Sequence, residues 1–347
     1  AIFGNTGSGK SNTLAAMFGA FYREMMKRNA VLFREKCRFL LLDFNREYTG
    51  QNCITNQKTV YNLNTRTHHG DKLPIDEGSL LDPELIAILA DATEKTQKPF
   101  LRRAISLYKH VFREGADNPT AHFKNILRNR IHLVLQMSDK IRVDLLFDYL
   151  RELLPTVSAD GEEVDIASDL EWHNGSAEFK LKAGHNLFLK SHVEHRKETI
   201  VLQRVEQFAF SENMLTRLIF FMYLQLISDV LSNRAQNEHI APAINKLKSK
   251  QSDIEKVLDT SNAVNLWQSN FVVVNLNDVN LDMKKTIPLL LSRKEYHAKK
   301  CLPIDHSLCI IIDEAHNILS TTSTREAESW KDYRLETFEE IIKEGRK

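Results

Sequence analysis

AIFGNTGSGKS, residues 1–11, is the stretch that decides the fold. Gly4, Gly9, Lys10 and Ser11 match the pattern G-x-x-x-x-G-K-[ST], in which successive backbone N–H groups wrap a phosphate. Glycine permits the close approach, the lysine reaches the β- and γ-phosphates, and the serine hydroxyl ligates Mg²⁺. The pattern therefore predicts a site for ATP and magnesium.

The surroundings of this glycine loop support the prediction. Glycine is scarce, with 12 residues in 347, yet three glycines fall within the first nine positions. An amphipathic helix is predicted after the loop, and its positive dipole end would face the phosphate. Its apolar positions are Leu14, Met17, Phe18, Phe21 and Met25. The expected nucleotide contacts are Gly4, Asn5, Thr6, Gly7, Ser8, Gly9, Lys10, Ser11 and Asn12.

A second stretch, SLCIIIDEAHN at residues 307–317, ends an apolar run with two acids. In phosphate-loop ATPases, an acid at a strand end holds the magnesium water shell and a following Glu polarises the attacking water. Asp313 and Ser11 are therefore the predicted metal-site residues, and Glu314 and Lys10 are predicted to be catalytic. Asp43, which also ends an apolar run, is the rival metal ligand.

The apolar runs predict the architecture. Residues 38–44, 271–276 and 309–313 are short and continuously apolar, as strands buried on both faces of a parallel sheet are. With a strand at residues 1–3, four strands are separated by helical sequence, which indicates an α/β fold.

The long segment between the second and third strands has a different character. Residues 51–270 are mainly helical by periodicity, with a polar, turn-rich part at 155–184 that predicts a loop or a small hairpin. We therefore expect a core formed by residues 1–50 and 271–347 and a mainly helical insertion at 51–270.

The motifs together resemble the HerA branch of the HerA/FtsK superfamily. DEAHN at 313–317, the EGRK element at 344–347 and a D-x-x-G-E-Y-like element at 43–48 follow the glycine loop in family order. Arg46 stands where the family usually has Gly. The letters D-E-A-H do not indicate the helicases named for them, because the Ser-Ala-Thr step of those proteins is missing from ILSTTSTREAESW.

The resemblance implies a RecA-like P-loop NTPase (ASCE) core and a homo-hexameric DNA translocase with double-stranded DNA in its pore. It further implies that Arg346 completes the neighbouring subunit's site and that a nuclease or other effector is the partner. Glu47 is a possible contact to the nucleotide-bound water or to the next subunit, and His316 fits a hydrogen-bonded turn histidine. We expect a bacterial, DUF87-type protein acting in anti-phage defence, represented here by a piece truncated at both ends.

Composition adds bounds to these expectations. Forty-seven basic and 46 acidic residues give a net charge of +1, so DNA contacts would require a local patch. The four cysteines show no metal-ligand spacing, which favours reduced thiols in a cytoplasmic protein. Residues 218–227 are too short an apolar run to span a bilayer and predict a core helix rather than a membrane segment.

Two other functions fit the same residues. A nucleotide-gated ring scaffold would assemble and activate a partner enzyme without moving along DNA, and the balanced net charge favours it. A small-molecule kinase would share the glycine loop, but the long insertion argues against it. For a motor, Lys284, Lys285 and the Arg293–Lys294 pair are candidate pore residues, although a solvated helix face explains them equally simply.

Overall fold

The computed structural model describes residues 9–113, 118–157, 161–183, 187–261, 265–319 and 328–345 of the chain. The strands are β1 Cys37–Asp43, β2 Thr59–Asn64, β3 Leu73–Pro74, β4 Leu170–His173, β5 Glu178–Leu181, β6 Leu258–Asp259, β7 Phe271–Asp278 and β8 Ser307–Ile312. The α-helices are α1 Lys10–Lys36, α2 Glu77–Leu80, α3 Pro83–Leu89, α4 Gln97–Arg113, α5 Pro119–Val134, α6 Lys140–Leu153, α7 Ile200–Gln207, α8 Met214–Leu231, α9 Asn237–Val257, α10 Leu281–Lys300, α11 His316–Leu319 and α12 Glu328–Glu344. A 3₁₀ helix spans Val193–Glu198.

Four strands form a parallel sheet in the order β2-β7-β1-β8. The predicted α/β architecture with a parallel sheet is therefore confirmed. Three of the four predicted strands are β1, β7 and β8, which lie next to one another, and the strand predicted at residues 1–3 lies outside the described residues. The fourth described strand, β2, was not predicted.

One face of the sheet packs against α1. Tyr22 and Phe33 of the helix join Phe39 of β1 and Phe271 of β7 in a cluster of buried aromatic rings. The Tyr22 hydroxyl donates to Asn270 Oδ1 at 2.8 Å, which fixes the helix against the start of β7. This cluster holds α1 in the orientation that presents its first residues to one edge of the sheet.

The buried stripe of α1 differs from the predicted one. Leu14, Phe18 and Met25 pack against the cluster as expected, but Met17 and Phe21 are 51% and 47% exposed. The stripe follows positions 14, 18, 22 and 25, since Tyr22 supplies the contact that Phe21 was expected to make. The helix is also interrupted at Asn29 (φ −161°, ψ 92°), whose side chain accepts from the Leu32 N–H and so starts the last turns afresh.

By its contacts the chain divides into two compact units, Ala1–Leu89 with Ser249–Lys347, and Ala90–Lys248. The first unit holds the parallel sheet. The second is mainly helical, with α8 packed against α4, α5 and α6 and a two-stranded antiparallel hairpin formed by β4 and β5. The hairpin lies in the segment predicted as a loop or hairpin, while the domain boundaries at residues 50 and 271 stay a prediction.

Among the described helices, only α8 is long and apolar enough to span a membrane by length and composition. Of this helix, 67% is buried within the protein. The prediction of a core helix in this segment is confirmed by that burial.

Helix α10 begins at Leu281, where the Asn280 side chain caps it by accepting from the Met283 N–H at 2.9 Å. Pro288 therefore lies inside the helix.

Candidate nucleotide site

The helix that follows the glycine loop begins at Lys10, as the pattern predicted. Gly9 precedes it with φ +79°, in the left-handed region that glycine favours. A Cβ at this position would meet nothing within 4 Å, so the backbone conformation and not space requires glycine. The Thr13 N–H and hydroxyl both donate to the Gly9 carbonyl, at 2.9 and 3.0 Å, which closes the first turn.

Several predicted site residues lie outside the described part of the chain. These are Gly4, Asn5, Thr6, Gly7, Ser8 and Arg346. Ser11 and Asn12 lie in the first turn of α1, half-buried and exposed respectively. Gly345 ends α12 so tightly that a Cβ there would lie 2.4 Å from the Ile341 carbonyl oxygen, which explains the glycine of the EGRK element.

The two acidic strand ends lie side by side. Leu42 of β1 is paired with Ile312 of β8, and the Asp313 N–H donates to the Leu42 carbonyl at 3.1 Å. Asp43 and Asp313 therefore leave the sheet at the same carboxyl edge, where ligands of open parallel sheets bind.

The Asp43 carboxylate accepts hydrogen bonds from the loop that follows β1. It is buried and accepts from the backbone N–H groups of Asn45, Glu47 and Tyr48 at 3.3, 3.1 and 2.9 Å. Both oxygens take part in these bonds. The arrangement supports a role for Asp43 in shaping the loop after β1, and it weakens the rival interpretation of Asp43 as a metal ligand.

Asp313 has the opposite character. Its side chain is buried, and its Oδ2 has no hydrogen-bond partner among the described residues. Burial first, and then the negative charges of Glu47, Glu314 and Asp43, raise its pKa to about 6 against the opposing effect of a hydrogen bond from the Glu314 backbone. A buried carboxylate oxygen without a partner, among other carboxylates, fits a hydrated Mg²⁺.

Glu314 adopts a strained backbone conformation. Its φ is +50°, in the left-handed region where a side chain costs roughly 1–2 kcal/mol. Its carboxylate Oε2 lies 3.0 Å from Nδ1 of His316, and its carbonyl accepts from the Asn317 N–H at 2.9 Å. Strain of this kind concentrates at functional sites, where the surrounding structure must hold it.

Tyr48 connects the helix start with the acid pair. Its ring is buried, and burial raises the pKa of its hydroxyl. The Ser11 side chain lies near enough to lower that pKa, and the charges of Asp313, Glu47 and Asp43 raise it, although the hydroxyl makes no hydrogen bond of standard geometry. Ser11 and Asp313, far apart in the sequence, thus share one neighbour.

The loop that carries Tyr48 is held by Lys58. Its ammonium donates to the carbonyl oxygens of Tyr48, Gly50 and Cys53 at 2.6, 2.7 and 2.7 Å. Sequence analysis did not predict this contact, because a lysine ten residues away from its carbonyl partner gives no local signal.

Arg46 explains one departure from the family pattern. Its φ is +64°, a conformation for which glycine is the usual residue. The loop therefore keeps the backbone geometry of a glycine position with an arginine in it.

Two of the candidate pore residues on α10 are engaged within their own unit. Arg293 pairs with Asp82 at 3.0 Å and lies over the Tyr333 ring, 5.1 Å from its centroid. Lys294 lies 3.4 Å from Glu295. Burial lowers the pKa of Lys285, and the nearby Arg334 charge lowers it further. These contacts give Arg293 and Lys294 structural roles.

Comparison with known proteins identifies the family of this chain. The family model described as the central domain of the helicase HerA (DUF87) matches residues 1–294. The match includes the glycine loop and the loop of Asp43 and Tyr48, and it ends before Asp313 and Glu314. No curated protein matches the sequence. Because the family model covers most of the chain, the chain belongs to the HerA helicase central-domain family, a family of P-loop ATPases.

Proposed function

We propose that the chain hydrolyses ATP at the carboxyl edge of its parallel sheet and uses the energy to move along double-stranded DNA. Lys10 contacts the β- and γ-phosphates, Ser11 and Asp313 hold the magnesium, and Glu314 accepts a proton from the attacking water. The bound magnesium offsets the negative charge of the phosphates.

The proposal rests on one observation, which is that Ser11 and Asp313 are both neighbours of Tyr48. A magnesium site of this type needs a hydroxyl at the start of the helix and an acid at the end of a strand on the same side of the sheet. The Tyr48 N–H donates to Asp43, whose strand is paired with the strand that Asp313 follows. The Ser11 side chain lowers the pKa of the Tyr48 hydroxyl, which supports Ser11 and Asp313 belonging to one site.

We propose the finer assembly from the resemblance of the motifs to the HerA branch. Six copies form a ring, Arg346 of each copy completes the site of its neighbour, and double-stranded DNA runs through the pore. A nuclease or another effector enzyme is the partner, and the setting is anti-phage defence in a bacterial cytoplasm. Positive charge from a neighbouring subunit would stabilise the charge that develops on the transferred phosphoryl group.

ATP hydrolysis by the full-length protein, measured with and without DNA, tests the proposal. We expect DNA to stimulate hydrolysis and Lys10→Ala and Glu314→Gln to abolish it. Glu339→Gln is the matched control, since it makes the same chemical change at an exposed residue paired with Lys343 on α12. Hydrolysis retained by Glu314→Gln would contradict its role as the base, and hydrolysis indifferent to DNA would contradict translocation.

The scaffold is the second candidate, favoured by the balanced net charge of +1. Measuring DNA affinity against salt concentration separates the two functions. A motor that grips the phosphate backbone loses affinity steeply as salt rises, because condensed cations are released on binding. A protein that binds no DNA at low salt, yet assembles with ATP, would be the scaffold.

A further inference from the structure

A second cavity lies in the same unit at the opposite, amino edge of the sheet. It is open, measures about 650 Å³, and is lined by the starts of β1, β2 and β7 together with the end of α1. Its charged lining residues are Arg34, Arg38, Lys58 and Glu35, so positive charge prevails. The proposed ATP site uses none of these residues.

Arg38 is fixed in this cavity without a carboxylate partner. Its guanidinium lies over the Trp267 ring, 5.1 Å from the centroid, as in a cation–π contact. Among the residues that the structure describes, it forms no ion pair. A stacked guanidinium keeps its N–H edge available for an anion.

The indole beneath Arg38 is itself held in place. The indole Nε1 of Trp267 donates to the buried carboxylate of Glu295 at 2.7 Å. The backbone N–H of Trp267 donates to Asn265 Oδ1 at 3.0 Å. Glu295 also forms an ion pair with Lys294, so its carboxylate already has partners other than Arg38. The Trp267 ring beneath Arg38 is therefore fixed in place without a ligand.

Arg34 adds a second guanidinium to the cavity. It bonds only a neutral group among the described residues, donating to Gln57 Oε1 at 2.8 Å. By contrast, the neighbouring Lys36 pairs with Asp305 and Lys58 is occupied by three carbonyls. Two arginines without acid partners face one open cavity, an arrangement that suits a phosphate oxyanion.

We propose that this cavity binds a phosphate group, presented by a nucleic-acid strand or by a free nucleotide, with Arg38 and Arg34 as its ligands. Planar guanidinium groups match phosphate oxygens by paired hydrogen bonds. The adjacent Trp267 reports the event, because a ligand on Arg38 changes the surroundings of the indole.

The test uses the protein with Trp172→Phe and Trp330→Phe, so that Trp267 is the only tryptophan left in this 347-residue sequence. Inorganic phosphate, pyrophosphate and a short single-stranded oligothymidylate are titrated separately while the emission of Trp267 is recorded. We expect saturable binding. Saturation by the small anions assigns a free phosphate compound as the source, and saturation by the oligonucleotide alone assigns a nucleic-acid strand.

Arg38→Ala is expected to weaken binding about tenfold or more, as the loss of charge-assisted hydrogen bonds does. Arg38→Lys keeps the charge but loses the planar guanidinium and its stacking on Trp267. Its affinity for the anion is expected to lie between those of the parent protein and Arg38→Ala. Arg28→Ala, on the preceding helix α1, is the matched control, because Arg28 is exposed and paired with Glu24. Lys10→Ala leaves this binding unchanged, which separates the cavity from the ATP site.

Two results would overturn the proposal. One is a Trp267 emission that no probe changes saturably. The other is equal affinity in the parent and in both Arg38 variants, with folding of each variant verified by circular dichroism. Neither result bears on ATP hydrolysis, so failure here and failure of the proposed function are distinguishable.

Discussion

Nδ1 of His316 lies 3.0 Å from Oε2 of Glu314, so a 71% exposed histidine holds the carboxylate predicted to act as the catalytic base. Glu314 is also the residue whose backbone is strained after β8. The pair restricts the rotation of a side chain that must meet a water molecule in one orientation.

We expect His316→Ala to lower kcat for ATP hydrolysis roughly tenfold and to change KM for ATP little, because positioning of a base affects the chemical step more than binding. His306→Ala is the matched control, since His306 Nδ1 lies 3.0 Å from Asp305 at the opposite edge of the sheet. A parallel loss in both variants, or a loss confined to KM, would speak against the positioning role.

The second prediction concerns the pH dependence of stability in metal-free protein. The pKa of Asp313 is raised from 3.8 to about 6, so the folded state binds this proton more tightly than the unfolded state. The resulting stabilisation is complete below 3.8 and is lost as the pH rises through about 6.

Asp313→Asn has no such proton to lose. Without magnesium, we expect the variant to be more stable than the parent by roughly 1–3 kcal/mol at about pH 8, and by much less at about pH 4. Denaturant unfolding in EDTA at both pH values measures this difference. A difference that is the same at both values would show that Asp313 is not the titrating group.

Arg46 provides the third prediction. We expect Arg46→Gly to raise the free energy of unfolding by about 0.5–1 kcal/mol, because glycine adopts φ +64° without the strain of a side chain. Arg46→Val should lower it by about 1–2 kcal/mol, since a β-branched residue fits this region worst. Arg66→Gly, at a loop arginine without a positive φ, is the control and should destabilise slightly.

The fourth prediction tests Tyr48. We expect Tyr48→Phe to weaken binding of magnesium and a non-hydrolysable ATP analogue severalfold, since the hydroxyl beside Ser11 and Asp313 is lost. Stability should change little because this hydroxyl makes no regular hydrogen bond. Calorimetric titration measures the affinity. Tyr61→Phe, which removes a buried hydroxyl bonded to the Leu266 carbonyl, is the control and should bind the analogue normally.

Sequence reasoning succeeded where burial leaves a continuous apolar signal. β1 and β7 are buried along most of their length, so their residues are apolar almost throughout, and the half-buried β8 also has a continuous apolar run. β2 was missed because its sequence, TVYNLN, alternates with polar residues and includes the exposed Asn62. A polar edge strand has too little apolar sequence to be distinguished from a loop.

The site was only partly predictable for a similar reason. Lys10, Ser11, Asp313 and Glu314 belong to patterns whose spacing carries the chemistry. The left-handed conformation of Glu314 leaves no trace in the sequence, and that of Arg46 is indicated only by the glycine that is usual at this position in the family. The Lys58 contacts and the stack of Arg38 on Trp267 join residues through the tertiary fold, so local periodicity could not reveal them.

Strand β1 runs from the cavity that contains Arg38 to the proposed ATP site. β1 has the positive charge of Arg38 near its start and the negative charge of Asp43 at its end. Arg34 adds positive charge near the start, and Asp313 adds negative charge near the end. The chain is thus almost neutral in sum, while the side chains named here place positive charge at the amino ends of the strands and negative charge at their carboxyl ends. A near-zero total therefore does not exclude a local basic surface for an anionic partner.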